Sequence, residues 1–103
     1  MNREEQLLAY LKGVCPGRAY RVNGKELERA LHLSGTDLRK HVNRLRRRGV
    51  PIASDRSGYF YARTAGEVYT TIRQLRVMAN GLEAAIHGLE QALDSFDGGG
   101  DPP

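Results

Sequence analysis

The fold is indicated by residues 33–62, which read LSGTDLRKHVNRLRRRGVPIASDRSGYFYA and predict a strongly basic helix followed at once by a short β-hairpin. Leu38, Val42 and Leu45 recur at the i, i+4, i+7 spacing of one buried helical stripe. The opposite side of that helix is polar and rich in positive charge. Such a face is suited to meeting a polyanion.

The predicted hairpin follows Gly49. Two runs of strand-forming residues, 50–54 and 59–62, are joined by Asp55-Arg56-Ser57-Gly58, whose composition is typical of a turn. Because side chains alternate along a strand, we expect two tyrosines, Tyr59 and Tyr61, to face the core, and Phe60 to face outward or meet the C-terminal helix. A helix followed by such a hairpin, which is called a wing, is the order of elements in a winged helix-turn-helix.

Helix start signals occur at four places, where a capping residue stands three positions before a carboxylate: Asn2-x-x-Glu5, Asn23-x-x-Glu26, Ser34-x-x-Asp37 and Thr64-x-x-Glu67. They predict four helices. The first should run from about Arg3 to Lys12 and stop at Gly13, with Leu7, Leu8 and Leu11 directed inward.

A second helix is expected from about Gly24 to His32, with Leu27, Ala30 and Leu31 buried, after a short strand over residues 19–22 beside the wing. The tight turn Leu33-Ser34-Gly35 then leads into the basic helix. Two short helices joined in this way form a helix-turn-helix unit, which sets its second helix into the major groove of DNA.

Charge is distributed unevenly along the 103 residues. Residues 1–63 hold 14 Lys and Arg against 6 Asp and Glu, whereas residues 64–103 hold 2 against 6. This asymmetry steers one end of the molecule towards DNA, RNA or an anionic membrane surface. With 40% apolar residues, the chain suffices for one modest core and not for a catalytic domain with a deep cleft.

A family resemblance is carried by Leu33-Ser34, Leu38-Arg39-Lys40-His41-Val42, Leu45, Gly49-Val50 and Gly58-Tyr59. This pattern, within residues 3–63, resembles the N-terminal DNA-binding domain of the bifunctional biotin ligase/repressor and related helix-turn-helix type 11 proteins. The resemblance implies that the start of the basic helix approaches bases and that the hairpin tip touches the backbone. No biotin-binding loop or ligase domain follows, so the enzymatic half of that family is not expected here.

Two sets of DNA contacts follow from the helix periodicity. The first turns of the basic helix should enter the groove, where Arg and Lys suit guanine and Asn suits adenine. We expect bases to be contacted by Thr36, Arg39, Lys40 and Asn43. Further along the helix and at the wing tip, phosphates should be contacted by Arg44, Arg46, Arg47, Arg48 and Arg56. The first set would determine sequence preference and the second affinity.

An a/d heptad pattern runs through the predicted C-terminal helix, roughly Ala65 to Ser95. We call its residues the seam: Val68, Ile72, Leu75, Ala79, Leu82, Ile86, Leu89, Leu93 and Phe96. The stripe predicts a homodimer of two such helices. The e positions hold Arg76, Glu83 and Glu90 while the g positions are uncharged, which slightly favours antiparallel pairing. Gly81 and Gly88 weaken the helix on its outer side.

The domain organisation expected is a winged domain in residues 1–63, a dimerisation helix in residues 64–96 and a disordered tail in residues 97–103. The lone Cys15 and the polar first residues are typical of a cytoplasmic protein. No metal-ligand spacing or nucleophile arrangement is evident, so neither an enzyme, a cofactor, a metal site nor a small-molecule ligand is expected. No apolar run is long enough to cross a membrane.

Two function hypotheses remain. One is a dimeric, sequence-specific double-stranded DNA-binding protein, a bacterial or phage transcriptional regulator. The other is a DNA-binding assembly factor, for partition, replication or phage packaging, that oligomerises on repeated sites. The sequence does not separate the two, whereas a winged helix that binds only protein would not need the arginine-rich helix.

Overall fold

The computed structural model describes residues 1–96. Along the chain these form α1 (Arg3–Val14), a 3₁₀ turn (Arg18–Tyr20), α2 (Gly24–Leu31), α3 (Gly35–Arg47), β1 (Ile52–Asp55), β2 (Gly58–Tyr61) and α4 (Ala65–Leu93). The predicted fold class is confirmed: the chain is mainly helical, with a two-stranded hairpin and a long C-terminal helix. It divides into two compact units, Met1–Thr71 and a second one from Ile72 onward. We refer to the first as the winged unit.

All four predicted helix starts are confirmed. In each, a side-chain oxygen accepts a hydrogen bond from the backbone N–H three residues later, at 2.8 to 3.1 Å. The pairs are Asn2 with Glu5, Asn23 with Glu26, Ser34 with Asp37 and Thr64 with Glu67. Each cap satisfies one of the N–H groups that a helix leaves free at its start.

The ends of the first two helices differ from expectation. Gly13 does not stop α1, which continues to Val14, and the N–H of Cys15 closes it on Leu11 O at 3.0 Å. α2 ends at Leu31, followed by His32 in the left-handed conformation with φ of 53°. The Arg3 guanidinium donates to the carbonyls of Leu31 and His32, which compensates for the bonds lost at the end of α2.

One core lies between α1, α2, α3 and the hairpin. Its buried side chains are Leu7, Leu11, Cys15, Val22, Leu27, Leu31, Leu38, Val42, Leu45, Ile52, Ala53, Phe60 and Ala62. The predicted inward stripe of α3 is therefore confirmed. Ala30 is exposed, contrary to expectation, because α2 turns the side of Leu27 and Leu31 towards the core.

The wing, residues 52–61, is an antiparallel hairpin that pairs Ile52 with Tyr61 and Asp55 with Gly58. The predicted direction of Phe60 is wrong, because Phe60 is 3% exposed and belongs to the core. Tyr59 and Tyr61 are half-buried and pack against that core. Side chains alternate between the two faces of a strand, and the sequence does not say which set faces the core. Packing of the strand against the helices decides it.

The strand expected over residues 19–22 is absent from the described structure. Residues 18–20 form the 3₁₀ turn, and Val22 bridges the wing through two backbone hydrogen bonds with Tyr59 at 2.8 and 2.9 Å. These bonds attach the loop before α2 to β2.

The first turns of α4 belong to the winged unit. Val68 is half-buried and packs on the core, and Thr71 is 5% exposed. The boundary between the units thus falls after Thr71, later than the expected residue 63. The tail predicted to be disordered, residues 97–103, lies outside the described residues. Searched over residues 1–96, no helix combines the length and apolar content needed to cross a membrane.

Candidate nucleic-acid interface

The four side chains expected to contact bases lie together on α3. Thr36, Arg39, Lys40 and Asn43 are all exposed, while the stripe Leu38, Val42 and Leu45 behind them is buried. We call these four residues the recognition face. Its one internal contact within residues 1–96 is long, 3.5 Å from an Arg39 guanidinium nitrogen to Thr36 Oγ1. The polar groups of this face are therefore available for an external partner.

The five arginines expected to contact phosphate have different environments. Arg47, at the end of α3, and Arg56, in the turn of the wing, are exposed. Within residues 1–96, neither side chain takes part in a hydrogen bond or ion pair. These two guanidinium groups keep their full charge facing solvent, where a phosphate could bind.

Arg44 and Arg48 are paired with an acid from α1. Arg44 Nε lies 3.0 Å from Glu4 Oε1, and Arg48 lies 3.4 Å from Glu4 Oε2. His41 Nδ1 also lies 3.2 Å from Glu4 Oε1. Since an ionised carboxylate only accepts, that ring nitrogen carries the proton of the bond. Both arginines remain more than half exposed, so the pairing reduces their positive charge locally without removing it.

Glu4 is held in its charged form by these neighbours. The hydrogen bond from His41 is the largest effect lowering the pKa of Glu4, and the charges of Arg44 and Arg48 add to it. Partial desolvation acts in the opposite direction and is outweighed. Glu4 therefore ties α1 to the outer side of α3 and orients the two arginines.

Arg46 does not lie on the outer face as expected. It is half-buried, its Nε donates to Ile52 O at 2.8 Å and a terminal nitrogen donates to Ser54 Oγ at 3.1 Å. Burial lowers the pKa of Arg46 from its usual value, although a guanidinium stays protonated. The Arg46 guanidinium joins the end of α3 to β1 through these hydrogen bonds and so positions the wing. We therefore remove Arg46 from the set of arginines expected to contact phosphate.

The same connection continues into α4. Ser54 N donates to Thr71 Oγ1 at 3.1 Å, and that buried hydroxyl also lies 3.2 Å from Glu67 O. A continuous set of hydrogen bonds thus links α3, the wing and the start of α4. Sequence reasoning missed it, because Arg46 looked like one more basic residue and Thr71 like an ordinary flanking position of the heptad.

Asp55 shapes the wing tip. Its Oδ1 accepts from Ser57 N at 2.8 Å and from Gly58 N at 3.1 Å, and its Oδ2 lies 3.2 Å from Arg18 Nε. Desolvation acts to raise the pKa of Asp55, but these hydrogen bonds and the nearby Arg21 charge together lower it. The charged carboxylate fixes the turn that presents Arg56 to solvent.

The second unit, described by itself, exposes the seam. Leu82 is 68% and Leu89 71% exposed, and every seam residue from Ile72 to Phe96 is open to solvent. Val68 is the exception in the predicted set, because it packs on the core of the winged unit. The surface that a partner could cover therefore extends from Ile72 to Phe96.

Comparison of the chain with protein-family models, with curated proteins and with solved structures finds no match. The resemblance to the biotin ligase/repressor DNA-binding domain therefore stays a prediction. Over residues 1–96, no group of three or more His, Cys, Asp and Glu side chains is arranged to hold a metal ion.

Proposed function

We propose that this protein is a dimeric, sequence-specific double-stranded DNA-binding protein that acts as a transcriptional regulator. The observation that carries the proposal is the exposed recognition face, set on a helix whose other side is buried in the core. A helix fixed in this way can enter the major groove without losing its packing.

Each group on the recognition face has a chemical counterpart on a base pair. Arg39 and Lys40 suit the O6 and N7 acceptors of guanine, and Asn43 suits the N6 and N7 atoms of adenine. Thr36, at the start of the helix, can exchange hydrogen bonds with either kind of base. These side chains would provide the sequence preference.

Phosphate contacts would come from Arg47 and Arg56, whose exposure and lack of partners within residues 1–96 support this role. Arg44 and Arg48 would join them by exchanging Glu4 for a phosphate oxygen. The wing would then lie against the backbone or the minor groove, with Arg56 at its tip.

A selection of duplexes from a random DNA pool tests the proposal. We expect one preferred motif, and Lys40→Ala should lose ~1–3 kcal/mol of binding on that motif but little on unrelated DNA. Arg47→Ala, which removes one exposed positive charge from the same helix, is the control and should weaken binding to the motif and to unrelated DNA alike. Recovery of no motif would contradict sequence-specific recognition, and long arrays of repeats would favour an assembly factor over a regulator.

A further inference from the structure

The second unit carries an apolar face along one side of α4 and the turn that follows it, residues 94–96. Seven large side chains, Ile72, Leu75, Leu82, Ile86, Leu89, Leu93 and Phe96, are between 38% and 71% exposed. A continuous exposed stripe of this kind marks a surface that binds a partner. Ala79 completes the a/d pattern between Leu75 and Leu82.

Charge along this part of α4 is segregated. Arg73 and Arg76 lie near its beginning, whereas Glu83 and Glu90 lie in its later part and Asp94 follows its last residue. Two copies side by side in parallel would place like charges at the same level. Two antiparallel copies would place the basic beginning of each helix against the acidic end of the other, and would oppose the two helix dipoles favourably.

We propose that this face binds a second copy of the same chain in antiparallel orientation. The twofold axis that relates the two helices passes at the level of Ala84. The inference rests on the dimer in the proposed function and specifies its geometry. Val68 and Thr71 are already used by the winged unit, so the free stretch runs from Ile72 to Phe96 and its midpoint is Ala84.

This register covers the whole exposed seam. The level-by-level partners, one residue from each copy, are Ile72 with Phe96, Leu75 with Leu93, Ala79 with Leu89, and Leu82 with Ile86. Each layer joins an a position to a d position, so every seam residue from Ile72 to Phe96 of one copy meets one from the other. A register displaced towards the winged unit would require Val68, which is already packed, and would leave Phe96 uncovered.

The flanking charges agree with the same register. Arg76 comes to the level of Glu90 of the second copy, and this contact occurs twice. The two copies of Glu83 meet near the centre as a like-charge pair. In a parallel pair, Arg76 would instead lie beside the uncharged g positions Thr71 and Met78. Only the antiparallel arrangement gives Arg76 an acidic partner.

Spin-label distances within the homodimer test the geometry. Val77, Ala84 and Gln91 occupy the same outer heptad position, so variants that each add one cysteine at one of these sites have matched lateral distances across the pair. At ~1.5 Å per residue, the two labels at Val77, one on each copy, should be ~21 Å apart along the helix axis. The same holds for the two labels at Gln91, whereas the two labels at Ala84 should lie at the same level. Unmodified protein, with Cys15 only 1% exposed, is the control for background labelling.

The inference predicts two equal long distances, at Val77 and Gln91, on either side of one short distance at Ala84. Three equal distances would mean parallel pairing and would overturn it, while leaving the dimer intact. Unequal distances at Val77 and Gln91 would overturn the register. Absence of any dipolar coupling would overturn both the inference and the dimer, without bearing on DNA binding, because no DNA is present in the experiment.

Discussion

Arg46 and Arg47 are neighbours of the same type to which the structure gives opposite roles. Arg46 makes two charge-assisted hydrogen bonds to the wing, at 2.8 and 3.1 Å, whereas Arg47 is exposed. Such bonds contribute ~1.5–3 kcal/mol each when buried, and because Arg46 is half-buried we take ~2–3 kcal/mol for both together. Arg46→Ala should lower the free energy of unfolding by this amount, while Arg47→Ala should change it by less than ~0.5 kcal/mol.

Their effects on DNA binding should be reversed. Arg47→Ala removes a phosphate contact and should reduce the slope of log Kd against log salt by ~1, on any duplex. Arg46→Ala, studied where it remains folded, should keep the wild-type slope. Urea unfolding followed by circular dichroism gives the stabilities, and fluorescence anisotropy at several salt concentrations gives the slopes. Equal destabilisation by both variants, or a reduced slope only in Arg46→Ala, would refute the assignment of roles.

Three further perturbations have defined outcomes. A Cβ at Gly58 would lie 2.1 Å from Val22 O, so Gly58→Ala should destabilise the wing by ~2–4 kcal/mol, measured by urea unfolding; a wild-type midpoint would contradict the close approach. The pKa of Glu4 is lowered in the fold from its ordinary value of 4.5, so the ionised carboxylate stabilises the fold at pH values above 4.5. This stabilisation is lost as pH falls through the folded-state pKa. The stability difference between wild type and Glu4→Gln should therefore shrink on acidification, and a pH-independent difference would contradict the lowered pKa of Glu4. Leu82→Glu places a carboxylate in the proposed dimer interface and should sediment as a folded monomer; an unchanged dimer would show that the seam is not the interface.

The parts of the fold that were predictable from sequence are those set by local chemistry. The caps at Asn2, Asn23, Ser34 and Thr64 each use a side chain and a backbone N–H three residues away, so no distant part of the chain is needed to form them. The buried stripe of α3 was equally predictable, because a single period of the helix aligns its three apolar residues.

The errors concern contacts between elements distant in sequence. Alternation in the wing is compatible with either phase, and only packing on α1 and α3 buries Phe60 rather than its neighbouring tyrosines. Arg46 and Arg47 are adjacent arginines in the same basic run, so the sequence does not distinguish them. The partners of Arg46, Ile52 and Ser54, lie in the next element. Glu4 is more than thirty residues from the arginines that it pairs with, so its role has no local signal.

In the candidate site, the exposure of the recognition face was predictable because it is the complement of the buried stripe. The different environments of the remaining arginines were not predictable from the sequence. Free, acid-paired and wing-bound guanidinium groups differ only in their tertiary neighbours, which place Arg47 in solvent and hold Arg44 against α1.

Titration of a labelled random-sequence duplex with the full chain tests the central claim most directly. At ~50 mM salt we predict saturable binding, with an affinity that falls steeply and linearly in log–log form as salt increases, because phosphate contacts dominate non-specific binding. Absence of binding to duplex DNA at that salt concentration would contradict the assignment of α3 as a DNA-contacting helix.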